Sequence, residues 1–458
     1  MRVLMVSTNR EMLPDPVAPL GAAYVAASLK QAGHAVGFLD LQFVPDLVSA
    51  VKDACRSFRP DAVGLSIRNV DNVAFPHSVS YLPEIASAVR ALKAAGVKVI
   101  VAGGSGFTLM PAELLNALGL NLGIVGEGEA AFPELLRMIE KKQPVNNMPG
   151  LAYRYGGGCF VNPSKKVSNL DLYPAPDRSL IDNVAYMREG GAGNIQTKRG
   201  CSFNCAYCTY PIVEGKKVRM RAPDKAAEEF HRASREYGLK HIFVVDNVFN
   251  FPPEHAKAFC RGLIQRGVSA GWSCYLNPAF VDAELVELMA RAGCKGVEFG
   301  SDSAADSVLD ALGKGFKRAD IVSASELCRK ADLPFCHSLL LGAPGETVET
   351  VAATLDTMDM VRPNAVIAML GVRVFPGTAL AKRAAKENAL KGRPVGLAPV
   401  FYFSPGLDID TVAGRLGEYG RTRPNFIMPG IHLRMTDKIR ARLRAYGFIG
   451  PLWEYLRA

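Results

Sequence analysis

Three cysteines, Cys201, Cys205 and Cys208, stand close together in a chain of 458 residues, spaced by three and then two intervening residues. They follow a short apolar run (residues 194–197) and Lys198-Arg199-Gly200, a pattern that predicts a strand ending in an exposed loop. Three thiolates can hold three irons of a [4Fe–4S] cluster, whose thiolate ligation usually takes four cysteines. The fourth iron is then open to another ligand. Zinc is the competing chemistry, but it normally takes paired Cys-x-x-Cys units or added histidines. Neither a second pair nor a nearby histidine accompanies this motif. The other cysteines (Cys55, Cys159, Cys260, Cys274, Cys294, Cys328 and Cys336) are scattered through helical or strand patterns, where a small buried hydrophobe is the default.

The elements that must position this loop are legible as alternating patterns. Residues 1–140 alternate short β-rich runs (3–7, 36–41, 62–67, 98–102, 122–125) with amphipathic helical ones (19–32, 47–58, 82–95, 111–118, 129–140), which predicts a doubly wound parallel sheet. Such a sheet binds ligands beyond the carboxyl ends of its strands. Three strand-end loops stand out: one with Ser66, Arg68 and Asn69, one with Gly103, Gly104, Ser105 and Gly106, and the turn Gly126-Glu127-Gly128-Glu129. Glycine lets backbone approach a ligand closely, and the neighbouring amides and hydroxyls can bind a polar or phosphate-bearing tail. Residues 146–190 are rich in turn formers and read as a linker with a small hairpin around 151–161. From 194 to about 387 a β-then-α alternation repeats six times, fewer than the eight of a closed (β/α)₈ barrel. Cys336 and His337 alternate on the fifth of these strands, so only one faces inward, and core packing is expected of it.

Composition bounds the class. A 49% apolar fraction fills sizeable cores, and length suggests about three domains. The first ten residues hold no cleavage-site pattern and no stretch reaches spanning length, so a cytoplasmic protein without a transmembrane segment is expected. Of a formal charge of +10, residues 411–458 supply nine Lys and Arg against three acids. That predicts either a local basic surface, which could meet an anionic substrate, a membrane surface or nucleic acid, or a solvated helix face over 436–446. No RNA-reading module is visible, and nucleic acid is not the expected partner.

The CxxxCxxC motif with Tyr207 before its last cysteine resembles the radical S-adenosylmethionine (SAM) superfamily. The amino-terminal signals, Pro19-Leu20-Gly21, residues 32–36, the doubled glycine before Pro111 and the Gly-Glu-Gly-Glu turn, resemble the cobalamin-binding domain fused to many of its members. The likeness implies an α/β protein: a Rossmann-like B12-binding domain (1–145), a linker (146–190), a partial (β/α)₆ radical SAM barrel (191–387) and a small segment capping the substrate cavity (388–458). It implies that Cys201, Cys205 and Cys208 hold the [4Fe–4S] cluster and that SAM occupies the open iron. Strand-end matches then place Asp246 near the SAM amino group, Asp302 and Lys314 in the segment whose acid binds SAM, and Asn277 where many relatives carry arginine. Tyr207 belongs to the same SAM set. For cobalamin the likeness implies Ser66, Arg68, Asn69, Gly103, Gly104, Ser105, Gly106, Gly126, Glu127 and Gly128. No histidine has an aspartate two residues before it, so the DxHxxG pattern is absent and base-off cobalamin without a histidine ligand is expected. Arg68 is the side chain expected nearest the corrin, and arginine has no lone pair with which to ligate cobalt.

The resemblance implies a methylase acting on an unactivated carbon of a small molecule, supplied with electrons by an external flavodoxin or ferredoxin. Two alternatives stay open at this point. One keeps both cofactors but performs ring closure, ring contraction or oxidation; the other is a tRNA-modifying radical SAM enzyme.

Overall fold

The computed structural model describes residues 1–429 and 437–456. In the amino-terminal part, β1 (Arg2–Ser7), β2 (Ala35–Asp40), β3 (Ala62–Ser66), β4 (Val99–Gly103) and β5 (Leu122–Ile124) run parallel in the order β2-β1-β3-β4-β5. Both faces are covered, which is why the strands read as nearly continuous apolar runs. Helices Leu47–Phe58, Leu82–Ala94 and Pro111–Leu118 close one core, and Leu20–Gln31 with Gly128–Glu140 the other. The order reverses at β1 and β3, and that switch point opens a crevice at their carboxyl ends.

The hairpin β6 (Leu151–Tyr155) and β7 (Gly158–Val161) does not belong to a linker. It continues the first sheet as an antiparallel edge, β5-β6-β7, so the sheet runs past the boundary that turn-rich composition suggests at residue 145. Glycines and prolines mark the turns of this hairpin as readily as they mark a linker.

The second sheet is built from β8 (Gly193–Ile195), followed by a ribbon of β9 (Lys198–Arg199) and β10 (Arg219–Met220), then β11 (His241–Val244), β12 (Gly271–Leu276), β13 (Cys294–Asp302), β14 (Phe335–Leu341) and β15 (Ala365–Leu370). A second ribbon, β16 (Val372–Arg373) with β17 (Phe401–Tyr402), precedes β18 (Phe426–Ile427). The order β8-β11-β12-β13-β14-β15-β18 is parallel throughout, so the six-strand partial barrel gains a short seventh strand from the carboxyl-terminal segment. Ile242, Val244, Trp272, Cys274, Val297 and Phe299 face outward into the helices, and the alternate residues line the barrel interior. His337 packs outward between Ser301 (2.7 Å) and Ser325 (3.1 Å), stacked on Phe299, whereas Cys336 packs against Trp453 at the floor. Both are packing residues.

The loop entry differs from expectation: Lys198 and Arg199 are buried, at 2% and 8% exposure. Arg199 reaches the first domain, with Nη2 2.6 Å from Glu129 Oε1, and Arg219 Nη2 lies 2.5 Å from Glu127 Oε1. A third link joins Arg373 to Asp71 at 2.8 Å, both buried. Part of the basic carboxyl-terminal region is also spent within the chain. Arg444 pairs with Asp15 at 2.7 Å, Arg440 donates to the Glu189 carbonyl, and Arg423 pairs with Asp359. The helix there spans Asp437–Ala445; residue 436 of the expected helix lies outside the described residues.

Breaking one partner of a buried ion pair strands the other charge and costs about 3–5 kcal/mol. Glu129→Ala should therefore lower the urea midpoint of the whole chain strongly, while Arg56→Ala, whose partner Asp53 is exposed, should leave it nearly unchanged. Equal small effects in both would show that the interface charges are solvated.

Candidate functional site

The cysteine loop hangs between two well-fixed ends. At its start, Asp246 is fully buried and accepts from Thr197 N (2.7 Å), the Thr197 hydroxyl and Lys198 N (3.1 Å). Glu214 accepts from Gly200 N (2.9 Å), Asn247 Nδ2 (2.7 Å) and Gln196 Nε2 (3.0 Å). Gly200 has φ +90°, and a Cβ there would meet the Lys217 carbonyl at 2.2 Å, so only glycine makes this turn. At the far side, Ala206 N donates to the Leu312 carbonyl at 2.8 Å, which docks the loop on the Gly313-Lys314 turn. Burial raises all three thiols, with Cys208 pushed up to about 12, so they need a metal to hold them as thiolates. Among the described residues no group of three or more His, Cys, Asp or Glu side chains is placed to hold a single metal ion.

The expected SAM residues do not form one cluster. Lys314 Nζ lies 2.6 Å from Asp302 Oδ2, the Tyr207 hydroxyl donates to the same oxygen at 2.7 Å, and all three sit beside the cysteine loop. Asp302 has φ +63°, a left-handed conformation that aspartate tolerates better than most side chains. Asp246 stands apart, its carboxylate committed to the turn it organises. Asn277 spends only its Oδ1, which caps Pro278–Phe280 by accepting from Ala279 N at 2.9 Å, and leaves its Nδ2 donors for a ligand. Expectation of a direct SAM contact at Asp246 thus meets a carboxylate already engaged within the fold, whereas the amide N–H groups of Asn277 are not.

Facing the cysteine loop is a cavity of about 320 Å³ at the switch point of the first sheet. Ser66, Arg68, Gly103, Gly104, Ser105, Gly126, Glu127 and Gly128 line it, as do Gly21 and, from the barrel, Arg199, Tyr210 and Glu214. Asn69 and Gly106 do not; a Cβ on Gly106 would come 3.0 Å from the Arg68 carbonyl, so this glycine packs two loops together. Gly104 likewise serves the fold, with φ +99° and a Cβ position 2.5 Å from the Ile67 carbonyl. The Glu127 carboxylate is held by Arg219 and Tyr173 and only helps to wall the cavity. Arg68 is exposed and has no carboxylate partner among the described residues. Two buried acceptors on the lining, Asn9 Oδ1 and Asn194 Oδ1, have no hydrogen-bond partner, and a Cβ on Gly64 would collide with Met5 and Phe132 at 2.6 Å. A ligand bearing amide N–H donors and a flat tail fits this lining, which is the chemistry of cobalamin.

Two family descriptions match the chain: the B12 binding domain over residues 10–136 and the radical SAM superfamily over 195–358. The chain belongs to the B12-binding radical SAM family. Its cofactors are a [4Fe–4S] cluster, SAM and cobalamin. Among relatives of this B12-binding radical SAM protein is the tryptophan 2-C-methyltransferase of Streptomyces laurentii, 26% identical, covering 83% of this chain and 74% of that one. Another is the cytidylyl-2-hydroxyethylphosphonate methyltransferase of Streptomyces wedmorensis, 25% identical over 76% of this chain and 74% of that one. Among solved structures, the methyltransferase TsrM from Kitasatospora setae with cobalamin and [4Fe–4S] cluster bound has the same fold, with a TM-score of 0.88 at 24% identity over 99% of this chain and 97% of that one.

Glu214 and Arg199 escape a reading by motif, because their partners lie far off in sequence and no periodicity marks them. Gly21 offers the clean probe of the cavity: it lines the space and a Cβ there meets nothing within 4 Å. Gly21→Leu should leave the melting temperature within about 1 °C yet strongly reduce retained cobalamin. Gly104→Ala should instead lower stability itself, by about 1–3 kcal/mol for the forced backbone. Full cobalamin retention in Gly21→Leu would place the ligand elsewhere.

Proposed function

We propose that this protein is a cobalamin-dependent radical SAM methyltransferase that transfers a methyl group to an unactivated carbon of a small molecule. The observation that carries the reading is the apposition of the cysteine loop and the sheet crevice: Glu214 walls the cavity and, through Gly200 N, also fixes the residue before Cys201. When bound, the cluster, SAM and cobalamin supply the radical and methyl-transfer chemistry.

The chain's own residues bind, orient and exclude water. Cys201, Cys205 and Cys208 are the ligands for the cluster. Lys314, Asp302 and Tyr207 form a buried polar group beside that loop, suited to face the polar end of SAM, and Asp246 positions the strand end that feeds it. Residues 1–161, hairpin included, make up the cobalamin domain. Arg68 sets a fixed positive charge at the mouth of its cavity, and since a guanidinium has no lone pair it shapes the field there without ligating cobalt. The sequence holds one such cysteine group, so electrons come from an external flavodoxin- or ferredoxin-type donor. All ten cysteines are free, in keeping with a reducing cytoplasm. No helix among the described residues is long and apolar enough to cross a membrane. Tryptophan, which a TsrM structure holds as substrate, is the first compound to test.

Protein reconstituted anaerobically with all three cofactors and given SAM labelled in its methyl group should place label in the product. An unlabelled product accompanied by 5′-deoxyadenosine would replace methylation with a rearrangement or oxidation. Cys201→Ala, Cys205→Ala and Cys208→Ala should each abolish turnover and bring iron well below about four per chain; turnover surviving any one of them would remove that cysteine from the ligand set.

A further inference from the structure

Inside the barrel, below the cysteine loop, stand side chains that neither cofactor site uses. Val297 and Phe299 belong to the core behind the sheet, so Glu298 between them faces the interior. By the same alternation Tyr275 faces inward between Cys274 and Leu276, and it is 41% exposed. The parallel register sets Tyr275 beside Glu298 and Glu298 beside Cys336. Their floor is the turn Leu452–Tyr455 near the end of the chain. Trp453 packs there against Cys336 and Ala365 and donates its indole N–H to Glu298 Oε1 at 2.9 Å. A Cβ on Gly296 would lie 2.6 Å from Trp453 Cη2, so a glycine on β13 makes the room the indole fills.

A carboxylate offers about four acceptor positions, and Trp453 takes one. Among the described residues nothing else donates to Glu298, and the Tyr275 hydroxyl has no hydrogen-bond partner at all. Around them the inward-facing residues are mixed: Phe243, edge-on to Tyr275 at 4.9 Å, and Ile367 and Met369 on β15 are apolar, Ser338 on β14 is polar, and Ser273 on β12 is taken up by Glu454. A half-buried carboxylate that receives one protein donor keeps acceptor positions to fill, and leaving them unmet beside apolar side chains is costly.

The geometry points to Glu298 and Tyr275 as the recognition pair for a substrate that presents an N–H donor, a protonated amine or an azole N–H, on an apolar body. Trp453 is a positioning residue that holds the carboxylate. This rests on the small-molecule methyltransferase reading above and names its substrate class. The titratable groups around Glu298 are Tyr275 and Cys336 on the adjoining strands, Asp15 from the amino-terminal segment and Glu454 beside Trp453. Burial pushes Glu298 up to about 7, with the Trp453 bond pulling it down and Asp15 pushing it up. Its charged form, which an N–H donor favours, therefore grows as pH rises through neutrality.

The test is titration calorimetry on the cofactor-loaded full chain with three probes: tryptophan, indole-3-propionate, which lacks the amine, and the benzofuran counterpart of tryptophan, which lacks the ring N–H. At least one nitrogen deletion should weaken binding to wild type about ten- to hundredfold, the loss of one charge-assisted hydrogen bond. That difference should vanish in Glu298→Gln, whose amide oxygen still accepts from Trp453, with iron and cobalamin contents unchanged. Tyr275→Phe, on a partly exposed side chain, should cost several-fold for the same probe. Trp453→Phe keeps a ring in the floor but removes the donor, so the pH midpoint of binding should move upward; a purely structural role would weaken binding at every pH without moving the midpoint. Equal binding of all three probes, no binding of any, or a Glu298→Gln variant that discriminates like wild type would each overturn the inference. Methyl transfer from labelled SAM, followed in the same samples, is read separately: discrimination without transfer would leave the recognition pair standing and sink the methyltransferase reading.

Discussion

Four buried charges, Glu127 and Glu129 on the first domain and Arg199 and Arg219 on the barrel, hold the two halves of this protein against each other. Removing such charges from water is expensive, and they are tolerable only because each is met: Arg199 also bonds Gln196 and lies over Tyr24 and Tyr173, and Arg219 bonds the Val167 and Glu214 carbonyls. A buried pair of this kind contributes orientation more surely than it contributes stability. Arg199 is two residues ahead of Cys201, and Glu127 and Glu129 flank a glycine of the cavity lining. One set of contacts therefore fixes the distance between the loop that can hold a cluster and the crevice that can hold cobalamin. Two cofactors that act on one substrate need that distance fixed.

The carboxyl-terminal region serves the same end from below. Sequence suggests a cap over the substrate cavity, and the chain divides that task in two. Phe401 and Phe403 meet Phe75 of the first domain at the rim, while Trp453 and Glu454 enter the barrel from the opposite end. There Glu454 accepts from Ser273, itself 2.7 Å from His241, and burial lowers His241 to about 3. A histidine kept neutral beside a carboxyl raised to about 8 is a plug that avoids burying net charge.

What the sequence makes legible follows from how local each signal is. Strands, helices and the cysteine spacing are local, and the alternation of patterns carries the two-sheet architecture. The glycine loops of the crevice are local too, although the role of Gly104 turns out to be set by the Ile67 carbonyl, a tertiary neighbour. Acidic residues are the hardest to read, because a carboxylate at a strand end serves a ligand or the fold depending on what faces it. Asp302 faces Lys314 and Tyr207 beside the cluster loop; Asp246 faces backbone N–H groups and belongs to the turn. Glu127, read as a ligand-binding residue, faces arginines from another domain. Nothing within a few residues of Asp246 or Glu127 could have said so.

The barrel is left unclosed, and the segment at Asp15 and the region after residue 437 meet beside its edge. Its outermost strands, β8 and β18, are only three and two residues long, and an open sheet edge presents unpaired N–H and C=O groups. Beside β8 packs helix Asn183–Gly190, on which helix Asp437–Ala445 packs in turn, and Arg444 ties the latter to Asp15 and to the Gly450 carbonyl. Gly450 N in turn donates to the Gly191 carbonyl at 2.8 Å, just before β8 begins. The amino-terminal segment, the last helix and the Trp453 turn thus form one stitched wall. The wall closes the end of the barrel where Trp453 meets Glu298, while the carboxyl ends of the strands are left to the cysteine loop and the crevice beside it. The edge and the floor are met by the same few residues, so the shape of the interior depends on segments more than 400 residues apart in the chain.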